Sequence, residues 1–211
     1  MSSSADFSRR GVLAIAVSLA AARAAAAAQL LPTPRQTAGP FYPAELPLDR
    51  DNDLLLVAGR PGTALGTPTH VFGRVLDPIG RPVRNALVEI WQCDANGRYH
   101  HAGDGRRVSL DPNFQGYGQF TTGEDGAYRF RTIRPVAYPG RTPHIHFAVK
   151  GPGFERLVTQ MYVAGEPGNQ RDGVLKAIRD EDQRRRVIVP LSPAPELESS
   201  ALRGEFEIVL S

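Results

Sequence analysis

Cysteine is nearly absent. Cys93 is alone in 211 residues, which excludes an intrachain disulfide and any zinc or iron–sulfur site built from several thiolates. Charge of one sign is scarce as well. The formal net charge is +3; residues 1–28 carry three arginines (Arg9, Arg10, Arg23) against Asp6, a net of +2, which leaves +1 for the remainder. A chain this close to neutral gives no reason to expect nucleic acid as a partner. The run Arg184–Arg186 follows the acidic "RDED" and reads as a self-compensated surface. Beyond residue 28 no segment approaches the ~18 consecutive apolar residues that a membrane helix needs, so no membrane partner is expected. Helical periodicity is missing too, except in the short "GVLKAIRDEDQRRR" at 173–186.

Two features stand at the N-terminus. Arg9 and Arg10 precede a mildly apolar Ala/Val/Leu stretch and a small-residue region near Ala26–Ala28, the pattern of an export signal. Adjacent arginines favour the twin-arginine type over the general secretory type, and with it a periplasmic location for residues 29–211. Residues 29–66 are rich in proline and turn formers and read as an extended arm crossing a domain surface, with "QTAGPFYP" at 36–43.

Residues 67–211 read as the domain core. The chain contains 18 Pro and 21 Gly, and these break it into seven or eight short strand-like runs such as "THVFGRVLD", "NALVEIWQCD", "PHIHFAVKG", "RLVTQMYVAG" and "GEFEIVLS". The segment "GYGQFTTGEDGAYRFRTI" alternates around Gly123–Gly126 and predicts a hairpin. The fold class is therefore all-β, a two-sheet β-sandwich with long loops and an extended N-terminal arm. Sandwiches of this pattern include non-catalytic modules of transthyretin or carboxypeptidase-regulatory type, so the strands alone leave a binding module open.

His144 and His146 sit two apart in a strand-like run, and alternate strand residues face the same way. Two imidazoles do not close a coordination shell. The glutamate that a cupin site needs does not follow, and no third zinc ligand stands in a recognisable place. His100 and His101 are adjacent and would diverge on a strand, while His70 reads as structural. Tyrosine is an unusual candidate donor: Tyr138 is held between Pro135 and Pro139, and Tyr99 follows the turn "DANG". A free phenol has a pKa of ~10, so a phenolate ligand at neutral pH calls for a hard, highly charged ion such as Fe(III). Two phenolates and two neutral imidazoles would leave that ion with one net positive charge, ready for a dianionic chelating substrate.

The segments "VEIWQCDANGRYHH", "DPNFQGYGQFTTGEDGAYRFRTIRPVAYPGR" and "TPHIHFAVKGPGFERLVTQMYVAGEP" resemble the intradiol ring-cleavage dioxygenases, in particular their protocatechuate 3,4-dioxygenase-like branch. The resemblance runs from about Thr37 to the C-terminal "FEIVL". It implies a non-haem Fe(III) held by Tyr99, Tyr138, His144 and His146. It also implies Arg141 as the cation that stabilises activated substrate, with Tyr138 leaving the iron to take a proton. Gln160 and the arm residues Thr37, Gly39, Pro40 and Tyr42 are implied as substrate contacts. One chain carries both the arm and the ligands, so an αβ pair is not needed to assemble the site. The implied reaction is oxygen-dependent cleavage of a catechol between its hydroxylated carbons, giving a cis,cis-muconate-type diacid. Its partners are a small aromatic diol and O₂, with a homo-oligomer open. The helical N-terminal domain of the catechol and hydroxyquinol branches has no counterpart here, which sets the expectation against those branches. The loop from Tyr138 to His144 is shorter than in protocatechuate dioxygenases, so the pocket wall it forms must differ. Cys93 reads as packing, and Trp91 and His100 as possible pocket support.

Overall fold

Short runs that alternate inward apolar with outward polar side chains can satisfy their backbones only by pairing, and two such sheets bury their inner faces against each other. The computed structural model describes residues 29–211; the expected export signal at 1–28 lies outside the described residues. The strands are β1 (Pro68–Leu76), β2 (Leu87–Trp91), β3 (Tyr117–Thr121), β4 (Ala127–Ile133), β5 (His144–Lys150), β6 (Leu157–Val163), β7 (Ile188–Val189), β8 (Ser192–Pro193), β9 (Leu202–Glu205) and β10 (Ile208–Val209). They form two five-stranded sheets.

In the first sheet β4 runs antiparallel along β1, while β9 and β10 pair parallel with the two halves of the other β1 edge and β8 lies outside β9. The second sheet has the order β3-β2-β5-β6-β7. Between the sheets Val71, Val75, Tyr128 and Phe130 meet Val88, Ile90, Ile145, Phe147 and Met161, all buried. The two-sheet sandwich expected from the sequence is what the chain forms.

Three local expectations change. The hairpin over 117–133 does not form: β3 pairs with β2 and β4 with β1, so the turn at Gly123–Gly126 carries the chain from one sheet to the other. Both strands bury side chains between the sheets, and β1 offers β4 a seven-residue register that a five-residue β3 cannot match. Gly126, at φ 68° and with a Cβ position only 2.6 Å from the Val75 carbonyl oxygen, seats this crossing on the end of β1. The helical stretch at 173–186 divides into α1 (Gly173–Lys176) and α2 (Glu181–Arg186) because Asp172 and Asp180 each cap a separate start. Finally, the arm is not wholly superficial. Leu54 and Leu55 are fully buried in the core, and Leu54 bonds through its backbone to Arg131 and Gln115.

The tightest backbone approach in the sandwich is at Gly73, on the inward side of β1. A Cβ there would stand 2.0 Å from the Phe206 carbonyl oxygen and 2.5 Å from the Tyr128 ring, and Tyr128 donates to that same oxygen at 2.5 Å. Neither backbone nor buried ring can give way cheaply. Gly73→Ala should therefore cost about 3 kcal/mol of stability, read as a lower urea midpoint; an unchanged midpoint would contradict this packing.

Candidate metal centre

β5 divides its side chains by parity. Ile145, Phe147 and Val149 enter the core between the sheets, whereas His144 and His146 point to the outer face of the second sheet. That face is covered rather than solvated, since the two histidines are only 1% and 2% exposed. Ala38, Phe41 and Tyr42 of the arm, with Val136 and Tyr138 of the β4–β5 loop, pack there against Trp91, Cys93, Tyr99, Tyr117 and Ala148. The arm is fastened to the sheet edge, with Gln36 N donating to Val158 O (2.8 Å) and Gln160 N to the Gln36 side chain (2.9 Å). In register with His146 stand Trp91 on β2 and Gln160 on β6. The Trp91 ring stacks on His146 at 4.8 Å and 8°, fixing the imidazole plane.

The four aromatic side chains predicted as ligands come together in a closed circuit. Ring centroids lie 5.8 Å apart for Tyr99–Tyr138, 5.5 Å for Tyr138–His144, 4.8 Å for His144–His146 and 6.2 Å for His146–Tyr99. Tyr138 reaches its place because the short loop closes on itself, with Arg141 N donating to Tyr138 O (2.9 Å) and Gly140 at φ 83°. Tyr99 is set by its backbone, whose N–H donates to Asp104 Oδ2 (2.7 Å). Phe41 stacks on the Tyr99 ring at 4.7 Å.

His144 Nδ1 lies 2.7 Å from the Thr142 carbonyl, which can only accept, so Nδ1 carries the proton and Nε2 offers its lone pair. That Nε2 faces His146 Nε2 at 3.2 Å. Burial, with Arg141 adding to it, brings His144 down to about 4. Burial and the neighbouring His144 hold His146 well below the ordinary imidazole range. Both rings are therefore neutral donors near neutral pH. Burial raises both phenols, Tyr99 well above its usual value; at Tyr138 the Arg141 cation opposes the rise. The Tyr99 hydroxyl and His146 Nδ1 are buried without a hydrogen-bond partner. Such orphans are costly unless something else satisfies them. Among the described residues no group of three or more His, Cys, Asp or Glu is placed to hold an ion. An ion between the histidines would therefore take its remaining protein donors from tyrosine oxygen, and this donor set fits a hard trivalent ion.

Arg141 sits beside this circuit with its guanidinium committed. Its Nε donates to Asp172 Oδ2 at 2.9 Å and an Nη to Gln160 Oε1 at 2.5 Å. Gln160 in turn donates to the Thr37 carbonyl at 2.9 Å, which ties the arm to the pair. Gly39 backs onto His146, where a Cβ would stand 3.5 Å from the ring, and Pro40 is exposed on the turn that follows. Tyr42 does not join the group: its hydroxyl donates to Glu89 (2.6 Å) and its ring supports Trp91 edge-on. His100 and His101 lie on a loop, not a strand, with His100 Nε2 held 3.0 Å from the Asp111 carbonyl.

Sequence reasoning missed Asp172 and Arg106. Asp172 is completely buried in its side chain and accepts from Arg141 Nε and from the backbone N–H groups of Thr142, Val174 and Leu175. The helix-start pattern "DGVL" was the available signal. Arg106 pairs with Asp104 and lies 4.6 Å from the centre of the Tyr138 ring; nothing in its local sequence marked it. Tyr138 and Arg141 line a cleft of about 370 Å³. A wider cleft of about 980 Å³ runs between Pro32–Thr37 of the arm and the α1–α2 segment and touches none of the four rings, so its size is no argument for chemistry there.

Residues 37–211 match the family model described as Dioxygenase. The chain is 45% identical over 184 residues to the protocatechuate 3,4-dioxygenase beta chain of Burkholderia cepacia, covering 83% of this chain and 78% of that one. It is 30% identical to the catechol 1,2-dioxygenase of Candida albicans, covering 68% of this chain and half the length of that relative. Among solved structures it is similar to the dioxygenase domain of a dioxygenase and carbohydrate-binding protein fusion from Streptomyces sp. SirexAA-E. That match has a TM-score of 0.66 and 31% identity, and it covers 85% of this chain and 98% of that one. These relatives favour a catalytic chain over a non-catalytic sandwich module.

Asp172→Ala should expose how much the Arg141 corner depends on one carboxylate. It would leave a half-buried guanidinium and three backbone donors without their acceptor, at a cost of about 3–5 kcal/mol. Chemical denaturation at neutral pH measures this; a loss below about 1 kcal/mol would mean that the pair behaves as a solvated surface contact.

Proposed function

The chain belongs to the intradiol ring-cleavage dioxygenases, and from that premise we propose that it binds a non-haem ferric ion through Tyr99, Tyr138, His144 and His146 and cleaves a catechol with O₂ between its two hydroxylated carbons. Both oxygen atoms enter the product, a cis,cis-muconate-type diacid. The observation that carries the reading is the closed circuit of two buried neutral imidazoles and two phenols, with the Tyr99 hydroxyl buried in it without a partner. The ion would act as a Lewis acid and template that draws charge from the bound diol.

The protein's part follows from its own side chains. The arm and Trp91 keep bulk water from the histidines. Tyr99 is buried and Tyr138 only partly so, and Tyr138 lines the cleft. Tyr138 is therefore the tyrosine an incoming diol meets, and, held as a phenolate by the ion, its oxygen would be the natural acceptor of a catechol proton. Arg141 remains charged at any working pH. Held by Asp172 and Gln160, it presents a fixed cation to negative charge developing on the ring, without reorganisation during the reaction. Gln160, bonded both to Arg141 and to the Thr37 carbonyl, ties the arm to that cation beside the diol's site. Adjacent Arg9 and Arg10 ahead of an apolar stretch support export of a folded, metal-loaded chain to the periplasm; that stretch lies outside the described residues.

Iron-replete protein should be red from phenolate-to-iron charge transfer, and anaerobic catechol should shift the band. A colourless iron-loaded protein would falsify the reading. Tyr99→Phe and His146→Ala should each deplete iron and colour, and either one retaining both loses its place in the ligand set. Arg141→Ala should keep iron and colour while turnover falls about 10²–10³-fold; full turnover would remove Arg141 from the mechanism.

A further inference from the structure

The Tyr138–His144 loop leaves open space beside the candidate ligands. A Cβ on Gly140 would meet nothing within 4 Å, and Tyr138, Gly140 and Arg141 together line the 370 Å³ cleft. A single aromatic ring with a small substituent fits a space of that size. The same cleft is lined by Pro167 and Gly168 of the single 3-10 turn Pro167–Gln170 and by Arg171.

This turn is rigidly placed relative to the Tyr138–His144 loop. Gly168 packs so closely on Thr142 that a Cβ would stand 2.8 Å from its hydroxyl, and that hydroxyl donates to Asn169 Oδ1 at 2.8 Å. Asn169 donates onward to the Val163 carbonyl at 2.8 Å. Arg171 itself caps the turn, with its N–H donating to Gly168 O at 2.9 Å, and it directly precedes Asp172, which grips Arg141.

The charges of the cleft are unevenly neutralised. Glu166 is paired with Arg134, and Asp172 is saturated by Arg141 and three backbone donors. Arg141 is committed to Asp172 and Gln160. Arg171 is exposed, and among the described residues no ion pair or side-chain hydrogen bond engages its guanidinium. A carboxylate is the group that an uncommitted, exposed guanidinium lining a cleft recognises best, because two N–H donors match its two oxygens.

We infer that Arg171 sets substituent specificity: the diol end of the substrate enters over Tyr138 and Arg141, and an anionic substituent on the ring, a carboxylate, pairs with the exposed Arg171 of the same cleft. The inference rests on the ring-cleavage reading and adds to it a selectivity residue outside the ligand set, on the 167–171 turn rather than on the β4–β5 loop.

The test compares 3,4-dihydroxybenzoate with unsubstituted catechol on iron-loaded wild-type, Arg171→Ala and Arg171→Lys proteins. Arg171→Ala should raise KM for the acid about tenfold with little change in kcat, the signature of lost uniform binding, and leave KM for catechol unchanged. Arg171→Lys should recover part of the loss. Anaerobic titration followed by emission of Trp91, the sole tryptophan, should show the same contrast as a dissociation constant without turnover. An equal effect on both diols, or none on the acid, overturns the assignment while leaving ring cleavage standing. A wild-type protein that cleaves neither diol overturns the reading beneath it, and the assignment with it.

Discussion

The period of two along β5 is the constraint on which the rest depends. It sends Ile145, Phe147 and Val149 into the core and His144 and His146 to the other side of the same sheet. A slip of one residue would exchange the two sets, burying imidazoles between the sheets and pushing Phe147 outward. The register is held from both flanks, by β2 through Trp91↔His146 and by β6 through His146↔Gln160. The residues that fix the core thus also fix which way the candidate ligands point, and stability and chemistry are settled by one pairing pattern.

An outer sheet face would ordinarily be wet. Here the arm and two loops roof it, and that roof makes the histidines neutral donors: burial is the largest cause of the fall at both. The roof also supplies the oxygens, Tyr99 from the β2–β3 loop and Tyr138 from the β4–β5 loop. Irregular segments can hold rings this closely only where their backbones are pinned. Asp104 pins Tyr99, and the reciprocal bonds between Tyr138 and Arg141 pin Tyr138. Asp172 then ties the end of that loop to the start of α1, so the cation beside the ligands is positioned by the same network that caps a helix.

What was legible in the sequence follows how local its causes are. Strand alternation, the His-x-His spacing and the turn residues act over a few positions, and the sandwich and the His144–His146 pair were readable from them, while Tyr99 and Tyr138 entered the ligand set through the family resemblance. The hairpin at 117–133 was not. Alternation says that β3 and β4 each have a buried face but not which partner each pairs with, and β1 outcompetes β3 for β4 by length of register. Leu54 and Leu55 were lost in a proline-rich stretch because two apolar residues carry no period. Tyr42 was carried over from a resemblance, and its hydroxyl is committed to Glu89, a partner 47 positions away that no local pattern indicates. Asp172 and Arg106 act through long-range contacts of the same kind. The cleft that the Tyr138–His144 loop shares with Pro167, Gly168 and Arg171 became readable only in the fold, because those residues are more than twenty positions away in the chain.

The central claim is that the roofed face of the second sheet is a ferric centre built from two strand histidines and two loop tyrosines. Diffraction from crystals of the iron-loaded protein at the iron absorption edge tests it most directly. The account predicts one anomalous peak per chain, with Tyr99 Oη, Tyr138 Oη, His144 Nε2 and His146 Nε2 as its protein ligands. An iron bound elsewhere, or one held by the histidines without both tyrosines, would contradict it.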